Sequence, residues 1–256
     1  MNTFGANIPV KIGHTIIELD SVDSTNNYLS KLANETIVEN GSVILAHYQT
    51  HGKGQRGNNW ESEAGSNLTF SVYLNMSFLK LSQNFLLSMM VCNSVHELIS
   101  NYTNKVEIKW PNDLLIEGKK VCGILIENSI QKKHLSNSII GIGLNVSQTQ
   151  FAYNSGATSL QSHTSETLDK KLVIKKLLAI LDNNYNILTQ GNQLAIKNYY
   201  YHNLLGYQTG LTYEWKDTNS QFLGEILDVE DTGLLKMKVN QKEIRFIEMK
   251  EIRMVL

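Results

Sequence analysis

The segment KWPNDLLIEGKKVCGILIE, residues 109–127, contains two predicted strands and the turn between them. Apolar runs rich in β-branched residues predict the strands at 106–110 and 121–130. The dipeptide Glu117-Gly118 predicts a tight turn that joins the two strands into a hairpin. The segment therefore predicts a β-sheet, and the neighbouring sequence indicates what surrounds it.

Polar residues in this hairpin are candidates for ligand binding. Pro111 is expected to end the first strand, because proline cannot donate a hydrogen bond to a sheet; Asn112 and Asp113 then lie at a strand end. Asp113 is a candidate for binding a metal or a ligand hydroxyl, although Asn-Asp pairs more often form turns only. One of Lys119 and Lys120 is predicted to place its charge in a cleft along the sheet, and a solvated lysine pair is the alternative.

Patterns on both sides of the hairpin predict an α+β chain in two parts. Apolar or alternating runs predict further strands at 15–22, 42–47, 68–76 and 138–146. Helical spacing of apolar residues predicts helices at 23–32, 84–100, 169–190 and 193–203. After Gly206, short β-rich runs between turn residues predict a small five-stranded barrel, with a boundary near residue 205.

The composition of the 256 residues is that of an ordinary globular protein, with 42% hydrophobic and 18% charged residues. The formal net charge of −1 indicates no bulk attraction to nucleic acid or to an anionic membrane. No apolar run is long enough for a membrane span, and residues 1–13 do not have the pattern of a secretory signal. Two cysteines are too few for a disulfide framework or a four-ligand zinc site, so a cytoplasmic protein is predicted.

The segment QTHGKGQRGNNW, residues 49–60, alternates glycine with cationic residues and ends on Trp60. Glycine lets the backbone approach a ligand closely, and backbone N–H groups beside Lys and Arg form a site for an anion. Trp60 offers a flat face for a planar ring. The segment predicts binding of a phosphate that carries a nucleobase, whereas a flexible surface loop is the alternative.

Two further groups of residues suggest polar contacts with a ligand. Residues 23–26, Asp-Ser-Thr-Asn, are predicted at a helix start, where they act as an N-cap only or bind a polar ligand group. Gly141 and Gly143 clear space beside Asn145, which supplies a donor and an acceptor. Cys122 lies in an apolar run and is predicted to be a buried structural residue rather than a nucleophile.

Taken in order, these motifs resemble one known family. DSTNNYL at 23–29, the 49–60 segment, the 109–127 segment and GIGLNV at 141–146 resemble the catalytic domain of biotin protein ligase. The tail at 206–253 is similar to the C-terminal SH3-like barrel of that family, so the resemblance covers nearly the whole chain.

The resemblance implies a fold and a division into domains. It implies an α+β fold, in which a mixed sheet flanked by helices forms a class II synthetase-like catalytic domain at 1–205. It implies a small SH3-like β-barrel at 206–256. About twenty residues precede the 23–26 motif, which is too few for the DNA-binding domain of some family members, so no nucleic-acid partner is expected.

The resemblance also implies an activity. The family forms biotinyl-5′-AMP and pyrophosphate from biotin and ATP, and then transfers biotin to one lysine of a biotin carboxyl carrier protein. Mg²⁺ is expected to accompany ATP, and Asp113 is the candidate for a contact with it. The expected partners are biotin, ATP and the carrier protein, with no membrane partner, and the chain is expected to be a monomer or a homodimer.

The resemblance assigns roles to individual residues. Lys120 is implied to be the catalytic lysine, which contacts the biotin carboxyl group and the phosphate, and Trp60 is implied to stack beside adenine. The residues implied to bind biotin are Ser24, Thr25, Asn26, Gln49, Gly52, Lys53, Gly54, Gln55, Lys120 and Gly123. The residues implied to bind ATP or the adenylate are Lys53, Gln55, Arg56, Gly57, Asn58, Trp60, Asn112, Asp113, Lys120 and Asn145.

The 49–60 loop departs from the commonest family pattern, GRGRxGRxW, at three positions. Lys53 keeps the positive charge but not the bidentate geometry of arginine, and Asn58 replaces a further arginine. Gln55 has no charge at a position that helps to retain the adenylate. Weaker retention of the adenylate is therefore expected.

Two alternatives remain at this point. A lipoate ligase or octanoyl transferase would share the fold, but the motifs at 52–58 and 109–113 and the barrel-like tail favour biotin. A non-catalytic biotin-sensing module is the second alternative, and Lys120 with the glycine-rich loop opposes it.

Overall fold

The computed structural model describes residues 11–152 and 156–255; the side chain of Arg56 lies outside the described part. The described residues form a seven-stranded mixed sheet with helices and a second, five-stranded antiparallel sheet. Within these residues, none of the helices combines the length and the apolar character that crossing a membrane requires.

The large sheet contains all seven strands of the first part of the chain, and its order is β1-β2-β3-β7-β6-β5-β4. Its strands are β1 (Ile16–Leu19), β2 (Val43–Ala46), β3 (Leu68–Asn75), β4 (Val106–Lys109), β5 (Asp113–Ile116), β6 (Lys119–Gln131) and β7 (His134–Leu144). Strands β1 and β2 are parallel, and the other neighbours are antiparallel. The predicted mixed sheet is therefore confirmed.

The described residues contain four α-helices, of which the first two pack on this sheet, and all four were predicted. They are α1 (Thr25–Glu35), α2 (Phe85–Ser100), α3 (Lys170–Thr189) and α4 (Gln193–His202). Helix α2 is buried along most of its length, because it packs against the sheet, α3 and α4 at once. Helix α3 buries one apolar stripe against α2, as its helical spacing predicts.

The predicted hairpin of β4 and β6 is wrong in its connection. The short strand β5 lies between them, and Glu117-Gly118 joins β5 to β6 instead. Both turn residues have positive φ, 51° and 76°, which suits a two-residue hairpin turn. The sequence predicts no strand at 113–116, whereas the chain reverses after Pro111 and pairs with β4.

The second sheet consists of β8 (Gly210–Trp215), β9 (Gln221–Val229), β10 (Leu235–Val239), β11 (Glu243–Ile247) and β12 (Ile252–Met254). Its order is β11-β10-β9-β8-β12, and alternate residues of β9 and β10 point into its core. The predicted small five-stranded β-unit is confirmed, and the boundary near residue 205 stays a prediction.

Contacts connect the second sheet to the rest of the molecule beside one face of the large sheet. The indole Nε1 of Trp110 donates to the carbonyl of Gly233 at 3.2 Å. The N–H of Phe85, at the start of α2, donates to the carbonyl of Asp231 at 2.9 Å, and Lys197 of α4 pairs with the Asp231 carboxylate at 2.5 Å. These contacts hold the β9–β10 turn next to the loop that connects β4 to β5.

Candidate active site

Three glycines make a flat floor in the middle of the large sheet. Gly123 of β6 pairs with Gly143 of β7, and Gly141 lies two residues further along the same strand. A Cβ atom at Gly123 would lie 2.9 Å from Cζ3 of Trp60, and one at Gly141 would lie 2.5 Å from Oδ1 of Asn26. The missing side chains therefore let Trp60 and Asn26 contact the backbone of the sheet.

A β-bulge directs Lys120 towards this floor. The pairing of β5 with β6 shifts between Leu114 and Leu115, so that β6 has one extra residue next to Lys120. The Nζ of Lys120 lies 2.6 Å from Oδ1 of Asp113 and 5.6 Å from the centre of the Trp60 ring. Both side chains of the ion pair are partly exposed, so an anionic ligand could compete with Asp113 for the ammonium group.

Polar groups at the start of α1 form the opposite end of the floor. The N–H and the hydroxyl of Thr25 donate to Oε1 of Gln49 at 2.8 and 3.1 Å. The Ser71 hydroxyl lies 2.7 Å from Oγ1 of Thr25 and 2.6 Å from Oδ1 of Asn26, so it donates to one of them at a time. Ser24 is the N-cap residue, yet its side chain makes no capping hydrogen bond and lines the cleft. Its hydroxyl is therefore available to a ligand.

Glu127 fixes the orientation of Asn26. The amide nitrogen Nδ2 of Asn26 donates to Oε2 of Glu127 at 2.7 Å. Neither Glu127 nor Ser71 was predicted as part of the site, because each is one of several polar residues in its strand and belongs to no motif of the site. The local sequence shows only that both side chains are polar. Their partner Asn26 lies 101 positions from Glu127 and 45 positions from Ser71 in the sequence.

The glycine-rich loop folds back on itself over the floor. The N–H of Trp60 donates to the carbonyl of Gly52 at 2.9 Å, and the N–H of Gly54 donates to the carbonyl of Asn58 at 2.6 Å. Between them, Gln55–Gly57 form one 3₁₀ turn. The loop is therefore a small hairpin that carries Trp60 onto the sheet.

Lys53 of this loop points to the start of α1. Its Nζ donates to Oδ1 of Asn27 at 2.5 Å, and Nδ2 of Asn27 donates to Asp23 at 2.5 Å. The hydrogen bond from Asn27 lowers the pKa of Asp23 below its usual value, and the charge of Lys53 adds to this effect. These contacts anchor one side of the loop to α1, and they do not involve the polar groups on the cleft side.

The structure brings most of the predicted site residues together around a single cleft. Those that line it are Ser24, Thr25, Asn26, Gln49, Lys53, Gly54, Gln55, Trp60, Asn112, Lys120 and Gly123. Phe70, Ile124, Leu125 and Ile142 add apolar walls that the sequence did not indicate.

A second cleft adjoins the first and is bordered by the small sheet. Asn58 and Asp113 line it, together with Lys109, Lys216 and Arg253, which were not predicted. Burial lowers the pKa of Lys109, the charges of Lys120 and Lys216 lower it further, and Asp113 opposes them. Several cations therefore converge on this cleft, which suits a multiply charged anion.

Three predicted residues lie outside both linings. Gly52 packs behind the cleft, where a Cβ atom would lie 3.1 Å from Nε2 of Gln49, and Gly57 provides a positive φ of 80° in the 3₁₀ turn. Asn145 is 2% exposed, and its Nδ2 donates to the carbonyl of Thr158 at 3.0 Å. The side chain of Arg56 falls outside the described residues.

Cys122 is buried in the core and does not face the cleft. It has no exposed surface, and burial raises the pKa of its thiol well above the usual value. A thiol that stays protonated is a poor nucleophile, so the predicted structural role agrees with its environment.

The arrangement suits an elongated ligand. Hydrogen-bonding groups lie beside Gly141, whereas Trp60 and Lys120 lie beside Gly123 and Gly143, one strand repeat away, or about 7 Å. A polar ring could bind at the first end and an anionic group at the second. The cationic second cleft continues from the anionic end.

Comparison with known proteins identifies the family. The model of the biotin/lipoate A/B protein ligase family matches residues 18–145, half of the chain. The chain belongs to this family. The bifunctional ligase/repressor BirA of Bacillus subtilis is 30% identical over 235 residues, which cover 90% of this chain and 71% of that protein. The biotin–[acetyl-CoA-carboxylase] ligase of Mycobacterium tuberculosis is 31% identical over 164 residues, covering 62% of this chain and 59% of that protein.

Solved structures of family members share the fold. The biotin protein ligase from Aquifex aeolicus in complex with biotin and ATP aligns with a TM-score of 0.75 and 28% identity, covering 94% of this chain and 99% of that one. The α+β fold with its second, SH3-like unit, which the sequence predicts, is thereby confirmed.

Proposed function

We propose that this family member is an ATP-dependent biotin protein ligase. It forms biotinyl-5′-AMP and pyrophosphate from biotin and ATP, and transfers biotin to a lysine of a biotin carboxyl carrier protein. The observation that carries the proposal is the single cleft in which the polar groups of α1, the glycine floor, Trp60 and Lys120 meet. The similar Aquifex aeolicus ligase binds both biotin and ATP, which supports the same two substrates here.

The polar end of the cleft is proposed to hold the ureido ring of biotin. A ureido group has one carbonyl acceptor and two N–H donors, so it needs both kinds of partner. The Ser24 hydroxyl supplies a donor, and Thr25, Asn26 and Gln49 supply further polar groups held in place by hydrogen bonds. Their fixed orientation reduces the entropy lost when the ligand binds.

The cationic end is proposed to assist formation of the adenylate. A biotin carboxylate oxygen attacks the α-phosphorus of ATP, the bond to the bridging oxygen breaks, and pyrophosphate leaves. This brings two anions together. Lys120 leaves its ion pair with Asp113, pairs with the ligand instead, and so offsets the repulsion between the two anions. Trp60 is proposed to stack beside adenine, with Asn112 and Asp113 at the nucleotide side.

Transfer to the carrier protein completes the proposed reaction. The carrier lysine attacks the acyl carbon of biotinyl-AMP as a neutral amine, loses its proton, and AMP leaves. Water would hydrolyse the same acyl phosphate, so exclusion of water protects the intermediate. Gly52, Gly54 and Gly57 with Lys53, Gln55, Arg56 and Asn58 are proposed to close over it as the lid.

Mg²⁺ is proposed to accompany ATP. Among the described residues, no group of three or more His, Cys, Asp and Glu side chains could hold a metal ion alone. Mg²⁺ commonly binds through substrate phosphates and one or two carboxylates, and Asp113 is the carboxylate beside Lys120. When bound with ATP, the ion would supply positive charge for the departing pyrophosphate.

A cytoplasmic location is inferred as well, since both cysteines are free thiols among the described residues. A monomer or a homodimer, with no nucleic-acid partner, is inferred as the working state. These inferences concern the setting of the reaction rather than its chemistry.

The test is a transfer assay with the full chain. The protein is incubated with ATP, Mg²⁺ and labelled biotin, first without and then with an apo carrier domain. Release of pyrophosphate in the first step and labelled carrier in the second are expected. The same assay with labelled lipoate tests the alternative, and transfer of lipoate in place of biotin would overturn the proposal.

A further inference from the structure

Thr158 links two proposed site residues through its backbone. Its N–H donates to the carbonyl of Lys120 at 2.9 Å, and its carbonyl accepts from Nδ2 of Asn145 at 3.0 Å. The N–H of Lys120 donates in turn to the carbonyl of Gly156 at 2.7 Å. The short segment around Thr158 is therefore an added strand-like edge beside the bulge of β6.

The side chain of Thr158 anchors this segment to His163. Oγ1 of Thr158 lies 2.9 Å from Nε2 of His163, and Nδ1 of His163 lies 3.6 Å from Oε2 of Glu117. The imidazole tautomer decides whether Thr158 or His163 donates this hydrogen bond, and the Glu117 carboxylate lies beside Nδ1 at a distance longer than a hydrogen bond. Lys105 holds the other oxygen of Glu117.

These contacts close a ring around the start of β6. Glu117 belongs to the turn that precedes Lys120, and His163 ends the 3₁₀ helix that follows Thr158. The turn, the bulge and the segment around Thr158 thus restrain one another. Thr158 is 7% exposed, so its hydrogen bonds form in a buried setting where they are hard to replace by water.

The hydrogen bond from Asn145 to the Thr158 carbonyl also determines the orientation of the Asn145 side-chain amide. A backbone carbonyl can only accept, so the nitrogen of the Asn145 amide must face it. The amide oxygen Oδ1 is buried, and it has no hydrogen-bond partner within residues 11–152 and 156–255. An acceptor left in this state favours a ligand that brings an N–H donor.

We propose that Thr158 and His163 are positioning residues for the nucleotide half of the site. They hold Lys120 and Asn145 in one arrangement and keep the Asn145 oxygen available for the amino group of adenine. This inference rests on the proposed function, because it takes adenine as the base that Asn145 meets.

Disturbing this ring should affect ATP more than biotin. The hydrogen bonds of Thr25, Asn26 and Gln49 do not pass through this ring. Lys120 is the biotin contact that the ring restrains, so biotin affinity should fall less than ATP affinity, whereas a residue needed only for general stability would affect both substrates equally.

The experiment uses two pairs of variants. Thr158→Val removes the hydroxyl at nearly constant volume, and Thr158→Ser keeps it. His163→Ala removes both ring nitrogens, and His163→Gln keeps an amide that can both donate to and accept from the Thr158 hydroxyl. Each variant is measured for the melting temperature, the dissociation constant of biotin, and single-turnover adenylation against ATP and against inosine triphosphate, which has a carbonyl in place of the amino group.

For Thr158→Val and His163→Ala, the ATP concentration for half-maximal adenylation should rise about tenfold, the effect expected for one lost hydrogen bond. Their preference for ATP over inosine triphosphate should fall, since Asn145 can then turn its nitrogen towards a carbonyl. Biotin affinity should fall less than ATP affinity, and Thr158→Ser and His163→Gln should stay close to the original protein.

Unchanged nucleotide preference in both Thr158→Val and His163→Ala would overturn the proposal, as would an equal loss of biotin and ATP affinity. If His163→Ala lowers the melting temperature strongly, the nearly isosteric Thr158→Val decides.

If the unsubstituted protein makes no biotinyl-AMP, the proposed function fails. The positioning role is then tested by calorimetric affinity for ATP against inosine triphosphate in the unsubstituted protein and Thr158→Val. Equal ratios in the two proteins would overturn it.

Discussion

Lys120 has the strongest individual claim to a role in chemistry. It reaches the glycine floor because a bulge turns it there, and its present partner is Asp113 at 2.6 Å. We expect Lys120→Ala to reduce single-turnover formation of biotinyl-AMP by at least ~100-fold, since a cation aimed at developing charge is commonly worth that much.

The neighbouring lysine provides the control for this change. Lys119 is exposed. Lys119→Ala therefore removes one positive charge next to Lys120 but removes no side chain from the cleft. Adenylation at a normal rate in Lys120→Ala, or an equal loss in both variants, would contradict the assignment.

Gln55 is expected to affect how tightly the protein retains the adenylate. It lines the ligand cleft at the start of the 3₁₀ turn, and it brings no positive charge to the adenylate. Gln55→Arg should therefore slow the appearance of free biotinyl-AMP in solution when no carrier is present, because a cation holds the phosphate more tightly. Gln55→Met, of similar length and without charge, should not slow it; the rate of release is followed by chromatography of the filtrate.

The sequence identifies residues whose chemistry is unusual for their position, and misses those that matter only through a distant partner. Trp60, Lys120 and Gln49 stand in glycine-rich or charged contexts that indicate a site. Ser71 and Glu127 contact Asn26 across 45 and 101 positions, and their local sequence does not show that contact. Such contacts depend on strand register, which one sequence does not specify.

At the scale of elements, long periodic helices were predictable and a four-residue strand was not. Helix α3 shows its apolar stripe over 20 residues, so its existence follows from the sequence alone. Strand β5 follows directly after Pro111-Asn112, which indicate a turn, and its burial shows no alternation, since three of its four residues are buried. The bulge at Lys120 was missed as well, because it appears only in the pairing of β5 with β6.

Helix α2 supplies a prediction about pH. His96 is 6% exposed between the Val106 carbonyl and the Tyr199 hydroxyl, and burial lowers its pKa from 6.5 to about 4. Between these values the unfolded chain binds a proton that the folded chain does not. The free energy of unfolding should therefore fall as the pH falls from 6.5 to about 4, by up to about 3 kcal/mol from this group.

The measurement for His96 is urea unfolding at several pH values in this interval. His96→Gln keeps a polar side chain of similar reach but cannot titrate. The loss of stability at low pH should be smaller in His96→Gln than in the original protein, and identical slopes in the two proteins would contradict the prediction.

At the scale of the whole molecule, the small sheet contributes charge to the cleft it borders. Lys216, at the end of β8, lines the second cleft and lowers the pKa of Lys109. We expect Lys216→Ala to raise the KM for ATP about threefold to tenfold, in the range of one charge-assisted contact, without changing the affinity for biotin. Lys242→Ala, an exposed lysine of the same sheet outside the cleft, is the control, and steady-state pyrophosphate release is the assay.

The two-part plan of the molecule could be predicted, whereas the arrangement of its sheets could not. The change to short β-rich runs after Gly206 corresponds to the second sheet. The placement of β7 between β3 and β6 is a long-range pairing that no local pattern encodes. The hairpin of β6 and β7 brings Gly143 opposite Gly123, and the long-range pairing adds β3 on the other side of Gly143.

The position of Trp60 gives the molecule an optical reporter of its own. The indole lies against Gly123 and Gly143, with Lys120 above the ring, and its Nε1 has no hydrogen-bond partner in the described part of the chain. Indole emission responds to nearby charge and to the polarity around the ring nitrogen. A ligand on the floor must change both the charge near the ring and the polarity around its nitrogen. Ligand binding can therefore be followed through the emission of Trp60 without an attached dye. Trp60→Phe would isolate the emission of the other two tryptophans, Trp110 and Trp215.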